Sequence, residues 1–373
     1  MKSMKFKLTI LALLLGFSSF SQVKKWSLIE CVTHALENNI TVKQGENTLL
    51  INEQDIKAAK GNFLPSLGAN LSQNLNFGQT ELFPGEFVNR SSYSTGISLG
   101  LSQTVFNGFR NTYFAKQAQL TKETNELELN RIRDDISLNV ANSYLNILFN
   151  KERLDVARAQ YKFSEKQLEQ IKQLVDSGVQ PRANIYDAEA TLSNDAQAVT
   201  VAQNNYNLSL LSMSQLLQVP FEGFNVEVIE IDTPSAELMY SDIKPILNYV
   251  LANRNEIKVA EKNIESAQIN TEISKGGFYP TVSASYGFGT NAFYTNLIDT
   301  EASFFNQLND NRGHSIGLNV SIPIFSRFQN KTSVAKSKIQ VENSKLQLEQ
   351  AKLNLEAVIQ SSFTIRCLYG GMH

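Results

Sequence analysis

Between Asn107 and Asp176 the chain carries no proline, and its one glycine, Gly108, stands at the start. A helix of about 65 residues would span roughly 100 Å at 1.5 Å per residue. No single globular core needs a helix that long. Its second half places Leu154, Ala157, Tyr161, Ser164, Leu168, Ile171 and Val175 at alternating spacings of three and four, a heptad seam. The segment Ser177-Gly178-Val179-Gln180-Pro181 then interrupts the pattern. Glycine suits a helix C-terminal position and proline a new first turn. A second seam follows: Ile185, Ala188, Leu192, Asp195, Val199, Ala202 and Tyr206. The spacing predicts an antiparallel coiled-coil hairpin over about 108–218. Its small Ala and Ser seam residues allow the arms to approach closely.

The chain also repeats itself. Ala35-Leu36-Glu37-Asn38 matches Val250-Leu251-Ala252-Asn253, and Gly61-Asn62-Phe63-Leu64-Pro65 matches Gly276-Gly277-Phe278-Tyr279-Pro280 in the same register. Val105-Phe106-Asn107-Gly108-Phe109-Arg110-Asn111 matches Ile324-Phe325-Ser326-Arg327-Phe328-Gln329-Asn330. Ordered matches of this kind indicate a duplication, with a period far longer than that of a solenoid. Each copy reads helix, proline, strand, loop, strand, long helix. The expected boundaries are a first repeat at 22–220, with strands about 66–77 and 93–106, and a linking segment at 221–245. An incomplete second repeat occupies 246–360, with strands about 281–289 and 315–325 and a long helix from about 328.

All four strands alternate strictly. Leu67, Ala69, Leu71, Leu75 and Phe77 oppose Ser66, Gly68, Asn70, Ser72, Asn74 and Asn76. Tyr93, Ile97, Leu99, Leu101 and Val105 oppose Ser94, Gly96, Ser98, Gly100 and Ser102. In the second copy Val282, Ala284, Tyr286 and Phe288 oppose Thr281, Ser283, Ser285 and Gly287, and Ile316, Leu318, Val320 and Ile322 oppose Ser315, Gly317, Asn319 and Ser321. A soluble half-buried sheet would show the same alternation. The polar faces, however, are small and uncharged, as suits a water-filled lumen behind an outward apolar band. On the barrel reading, Leu99, Leu101, Leu318 and Val320 face lipid, while Ser98, Gly100, Ser102, Ser315, Gly317 and Asn319 face the lumen. Gly78 to Ser92 and Gly289 to Gly313 are expected as long loops. Four strands cannot close around a channel, so several chains must contribute.

Residues 1–21 have a cationic start at Lys2, Lys5 and Lys7, an apolar run from Leu8 to Phe17 and a small-residue end. That is the layout of a signal peptide, cut after Ser21. The run is too short for a spanning helix, which needs about 20 apolar residues. The formal net charge of -2 argues against a nucleic-acid binder. Cys31 and Cys367 form no CxxC, and the three histidines, His34, His314 and His373, are scattered, so neither a disulfide framework nor a metal site is indicated. No catalytic motif is present, no cofactor is called for, and the chain reads as a non-enzyme.

With these features in hand, the chain resembles the TolC-like outer-membrane efflux protein family across Trp26 to Gln360. The resemblance rests on the duplicated helix–strand–strand–helix order, Pro65 and Pro280 at the helix-to-strand junctions, the exits Val105-Phe106-Asn107-Gly108 and Ile324-Phe325-Ser326-Arg327, and the segment Gly178 to Leu192. It implies an α/β membrane protein, mostly α, in which three chains close a twelve-stranded barrel and extend a helical tunnel through the periplasm. It implies a location in the outer membrane of a Gram-negative bacterium, and passive conduction in a tripartite efflux or type I secretion system. The implied partners are a periplasmic adaptor protein and an inner-membrane transporter. The adaptor would meet the hairpin tip at Gly178, Val179, Pro181, Asn184 and Ile185. A small equatorial domain would draw on Pro220 to Pro245, including Phe221, Phe224, Val226, Val228 and Ile231. The alternative from another class is a soluble periplasmic coiled-coil adaptor. Two departures stand out: Asn184 where the family often has Asp, and a second copy about 65 residues short, ending in an anomalous tail at 361–373. Val341, Leu348, Leu355 and Val358 are therefore expected to lack an intrachain partner. On that reading the chain as it stands does not make a sealed duct.

Overall fold

The computed structural model describes residues 25–229, 242–299 and 301–370. The expected leader, Ile231 and the rest of 230–241 lie outside the described residues. So do His373 and the side chain of Cys367. The chain divides into two units, Met1–Glu46 with Leu129–Leu238, and Asn47–Glu128 with Met239–His373.

The first unit opens with strand β1 (Lys25–Trp26) and helix α1 (Leu28–Asn38). A capping box starts α1: Ser27 Oγ accepts from Glu30 N at 3.3 Å and Glu30 Oε2 accepts from Ser27 N at 3.0 Å. Helix α2 (Ile40–Gly61) follows, and helix α3 (Arg110–Asp176) runs for 67 residues. Helix α4 (Ala183–Leu217) and strand β4 (Asn225–Val226) complete the unit, the intervening strands β2 (Ser66–Phe83) and β3 (Glu86–Asn107) belonging to the second. Val140, Tyr144 and Ile147 on α3 and Leu210, Met213 and Leu217 on α4 bring their apolar stripes against Cys31 and Ala35 of α1. β4 pairs in parallel with β1 and adds Phe224 and Val226 to this core. Of the residues expected in an equatorial domain, Phe224 and Val226 are buried here, and Phe221 and Val228 are exposed.

Tyr144 staples the two short strands. Its hydroxyl donates to Glu227 O at 2.6 Å and lies 3.3 Å from Trp26 O. Burial, reinforced by the negative charge that Cys31, Glu227 and Glu30 can carry nearby, pushes this phenol up to about 12.

The arms α3 and α4 bury the two heptad seams against each other. Leu154, Ser164 and Leu168 are buried, and the other seam positions are half-buried, while most residues between them are exposed. Ser164 Oγ donates to Asp195 Oδ2 at 2.5 Å, Arg158 Nη2 donates to Gln203 Oε1 at 2.7 Å, and Lys172 pairs with Glu189 at 3.4 Å. These contacts fix the antiparallel register.

The second unit is a sheet joined to a helical layer. Strands β2 (Ser66–Phe83), β3 (Glu86–Asn107), β5 (Thr281–Thr295) and β6 (Gly313–Ser321) form one antiparallel sheet in the order β2-β3-β5-β6. Helices α5 (Ile243–Asn253), α6 (Asn255–Lys275), α7 (Phe304–Asp310) and α8 (Gln329–Gly370) accompany it. The start of α3 is tied to α2 by Lys122–Glu53 at 3.0 Å and to α6 by Lys262–Glu123 at 2.9 Å.

Several expectations need correction. The hairpin β2–β3 is paired up to Phe83↔Glu86, so the loop expected over Gly78 to Ser92 is mostly ladder. Only Pro84 and Gly85 turn, with Gly85 at φ +90° and its N–H held by Glu81 Oε1 at 2.8 Å. The loop expected over Gly289 to Gly313 contains the end of β5 and all of α7. β6 stops at Ser321 rather than near 325, because Pro323 has no N–H to donate to a ladder. A bulge at Val105 shifts the register so that Phe106, not Val105, faces Val282. Finally, α8 packs on α6 and α5. Val341, Leu348 and Leu355 are half-buried; of the four residues expected to lack an intrachain partner, only Val358 is exposed. The seam of α8 matches the early part of α3, which is covered by an antiparallel helix of its own copy, not by the returning arm.

The two strand-to-helix junctions are built alike. Asn111 Nδ2 donates to Asn62 O at 3.1 Å, and Asn330 Nδ2 donates to Gly277 O. Phe106 meets Phe109 edge-on at 5.3 Å, and Phe325 meets Phe328 at 5.9 Å. Both copies turn through left-handed backbone: Gly108 (φ +67°) and Phe109 (φ +63°) in the first, Arg327 (φ +49°) and Phe328 (φ +65°) in the second.

Two predictions follow from this fold. Replacing Tyr144 by Phe leaves the Glu227 carbonyl without its donor and should lower stability by about 1–2 kcal/mol in denaturant unfolding. Because the folded phenol titrates above its ordinary value of 10.0, its contribution is complete below pH 10 and lost as pH rises through about 12. The wild type should therefore show an alkaline loss of stability that Tyr144→Phe lacks. At the junctions, a Cβ on Gly108 would lie 2.5 Å from Gly276 O, whereas the exposed Arg327 gains nothing from its left-handed conformation. Gly108→Ala should destabilise and Arg327→Gly should stabilise by about 1 kcal/mol, read as opposite shifts in thermal unfolding.

Candidate functional site

The sheet sorts its side chains into cross-strand rows. On one face Leu101 aligns with Leu67, Tyr286 and Ile316, and Leu99 with Ala69, Phe288 and His314. Further along this face, Gln103 aligns with Ala284 and Leu318, and Phe106 with Val282 and Val320. On the other face Gly100 aligns with Gly68, Gly287 and Ser315, and Ser102 with Ser66, Ser285 and Gly317. Ser98 aligns with Asn70 and Gly289, and Thr104 with Ser283 and Asn319. Thus Ser98, Gly100, Ser102, Ser315, Gly317 and Asn319 share one face, and Leu99, Leu101, Leu318 and Val320 share the opposite one.

Both faces are open. Leu67 and Leu71 are each 72% exposed, Leu318 is 71% and Ile316 is 88% exposed. A sheet in a water-soluble core would hide such a surface. The small face is kept nearly flat. A Cβ on Gly287 would meet Ser315 Oγ at 2.6 Å, and one on Gly317 would meet Ser285 Oγ at 2.8 Å. Glycine and serine thus alternate across strands where two side chains would collide. No Asp, Glu, Lys or Arg occurs in 66–78, 92–104, 281–295 or 313–321.

The edges differ. Among the described residues, β2 leaves its outer edge unpaired, as does β6. β6 covers β5 only from Thr281 to Gly289. Beyond it, α7 takes its place: Phe293 N donates to Gln307 Oε1 at 2.8 Å, Thr290 Oγ1 donates to Leu308 O at 2.5 Å, and Asn311 Nδ2 donates to Asn291 O at 2.7 Å.

Three polar features on this sheet escaped the sequence reading. Tyr286 Oη and His314 Nδ1 lie 2.8 Å apart on the apolar face, so His314 is a strand residue with a partner. Gln73 and Thr95 hydrogen-bond to each other on the same face. Arg90 lies on the small face beyond Ser92. Strand parity marks the first two, whereas Arg90 joins the small face only because β3 begins at Glu86.

At the hairpin tip, Gly178 adopts φ +76° and donates to Val175 O at 2.9 Å, while Val179 N donates to Leu174 O at 2.9 Å. Asn184 Nδ2 donates to Gln180 Oε1 at 3.3 Å. Gly178, Val179 and Pro181 are exposed, whereas Asn184 and Ile185 are half-buried. The unforeseen residue here is Tyr186, 72% exposed beside them. Among the described residues no group of His, Cys, Asp and Glu could hold a metal ion, and no helix is long and apolar enough to cross a membrane.

Residues 31–218 and 246–369 match the family described as outer membrane efflux protein. The chain belongs to that family. Its members are channel proteins rather than enzymes, and its location is the outer membrane with an extension into the periplasm. Outer membrane protein TolC of Vibrio cholerae serotype O1 is 21% identical over 267 residues, covering 69% of this chain and 58% of the relative. Crystal structures of CusC superpose with a TM-score of 0.74 at 17% identity, over 94% of this chain and 80% of that one. The outer membrane protein VceC of Vibrio cholerae gives 0.72 at 16% identity, over 90% and 78%. The chain spans about half the length of the curated relatives it matches, between 46% and 58%.

Proposed function

We propose that this efflux-family chain is the exit duct of a tripartite efflux or type I secretion system, a passive conduit with no catalytic residue. The observation that carries this reading is the doubly open sheet, apolar on one face and small, polar and uncharged on the other. Lipid is the environment that accepts the first face and a water-filled lumen the one that accepts the second. Along β3 the apolar rows run from Tyr93 to Phe106, which at about 3.3 Å per residue and a tilt near 40° covers roughly 30 Å of membrane. That agrees with the thickness of a bilayer's hydrocarbon core, about 30 Å. The unpaired edges of β2 and β6 support closure by further copies, three chains giving twelve strands, since a bilayer leaves no water for open edges. The coiled-coil hairpin would then form tunnel wall in the periplasm, with Gly178, Val179, Pro181 and the neighbouring Tyr186 offered to an adaptor, and an inner-membrane pump beyond it. The two sequence copies would each supply one strand pair and one set of wall helices. A soluble adaptor has no use for an open apolar sheet, which speaks against the alternative.

Single cysteines at Leu99 and Ser98 test the orientation. In membranes a water-soluble maleimide should label position 98 and spare 99; the reverse pattern would refute the assignment. Lysine at Leu99 should lower stability by about 2–4 kcal/mol if it sits near the bilayer midplane, and lysine at Ser98 far less. A photo-crosslinker at Val179 or Tyr186 should capture the adaptor, and capture only from positions higher on α3 and α4 would move the docking site away from the tip. Ion conductance across planar bilayers is the direct measurement of the duct, and its absence would count against conduction.

A further inference from the structure

We infer that the small face of the sheet carries an oxyanion-binding site at Arg90, suited to the carboxylate of a small organic acid. Arg90 is the cation on a strand face that is otherwise uncharged from Ser92 through Thr104. It has no ion-pair partner among the described residues, and its Nε is buried without a hydrogen bond. Its guanidinium lies over the Phe293 ring, 5.5 Å from the centroid. Phe293 opposes Ser94 in the register, so Arg90 reaches along its own strand towards Ser94, and the intervening Ser92 is only 2% exposed. Gly78, opposite Arg90, puts no side chain in the way. These residues open onto a cavity of about 460 Å³, also lined by Asn76 and Asn291.

The chemistry of that lining is specific. A guanidinium held over an aromatic face can still offer N–H groups to a carboxylate, and such charge-assisted bonds are the strong ones. Asn76, Asn291 and Ser94 add amide and hydroxyl donors of the kind that complete the hydration shell of an anion. No carboxylate lines the cavity to repel one. Phe293 supplies an apolar surface for the body of the ligand. As a property of a duct this deepens the conduit reading and rests on it: one such cation per copy on an uncharged wall would favour anionic cargo.

The test uses the full chain in detergent, with benzoate as probe and benzamide as its uncharged counterpart. Calorimetric titration at low ionic strength should detect benzoate and find benzamide at least about tenfold weaker. Arg90→Gln should bring benzoate to the level of benzamide, while Arg90→Lys, which keeps charge without the planar fork, should fall between them. Circular dichroism checks that each variant is folded. Should Arg90→Gln misfold, Phe293→Leu serves instead, with a several-fold loss expected. No benzoate binding by the wild type, or equal affinity in the folded variants, overturns the site. Because binding is read without conduction, intact binding with absent conductance would remove the duct and keep the site, and the opposite result would do the reverse.

Discussion

The ladder between β3 and β5 is the interaction on which the second unit depends. It joins the first sequence copy to the second, from Ser92↔Thr295 to Asn107↔Thr281, and it is what draws segments of both copies into one unit. Each copy alone makes only a two-stranded hairpin, which is marginal in water. Joining them makes a four-stranded sheet whose side chains already agree in face, because both copies alternate with the same parity at the pairing. The junction clasps then follow. Asn111 and Asn330 tie each long helix to the turn that ends the helix preceding its strands, Asn62 after α2 and Gly277 after α6.

Much of this was legible in the sequence, for identifiable reasons. The seams of α3 and α4 could be read because heptad spacing survives alanine and serine at the contacts: Ala157 and Ser164 are as regular in position as Leu154 and Leu168. The faces of the strands could be read because glycine and serine alternate with leucine over many residues. What escaped was local. Thr80, Val88 and Arg90 look like loop residues, yet an extended hairpin needs only Pro84 and Gly85 to turn. The helix α7 has seven residues, too few for periodicity to declare itself. The two-residue ladder between β1 and β4 has no pattern at all, and Tyr144, which holds it, looks like any other apolar helix position.

The cover of α8 is more instructive. In the sequence its seam looks orphaned because the returning arm of the first copy has no counterpart. In the structure the early turns of a long helix are covered by a neighbour of the same copy, α2 for α3 and α6 for α8. A heptad pattern shows that a face is covered; it carries no information about which element covers it. Val358 is exposed because the covered stripe of α8 runs on through Leu355, Ile359 and Phe363, which are half-buried.

The unequal edges of the sheet have a consequence for any second copy that adds to it. β2 offers 18 residues of unpaired edge, and β6 offers nine. A joint made strand to strand is limited by the shorter member, so half of β2 would face the helix-capped stretch of a neighbour's β5 instead of a ladder. Such a hoop is stitched firmly near the helical layer and held near the outer turns by side chains and the short helix α7. Its rim would yield before its base under strain.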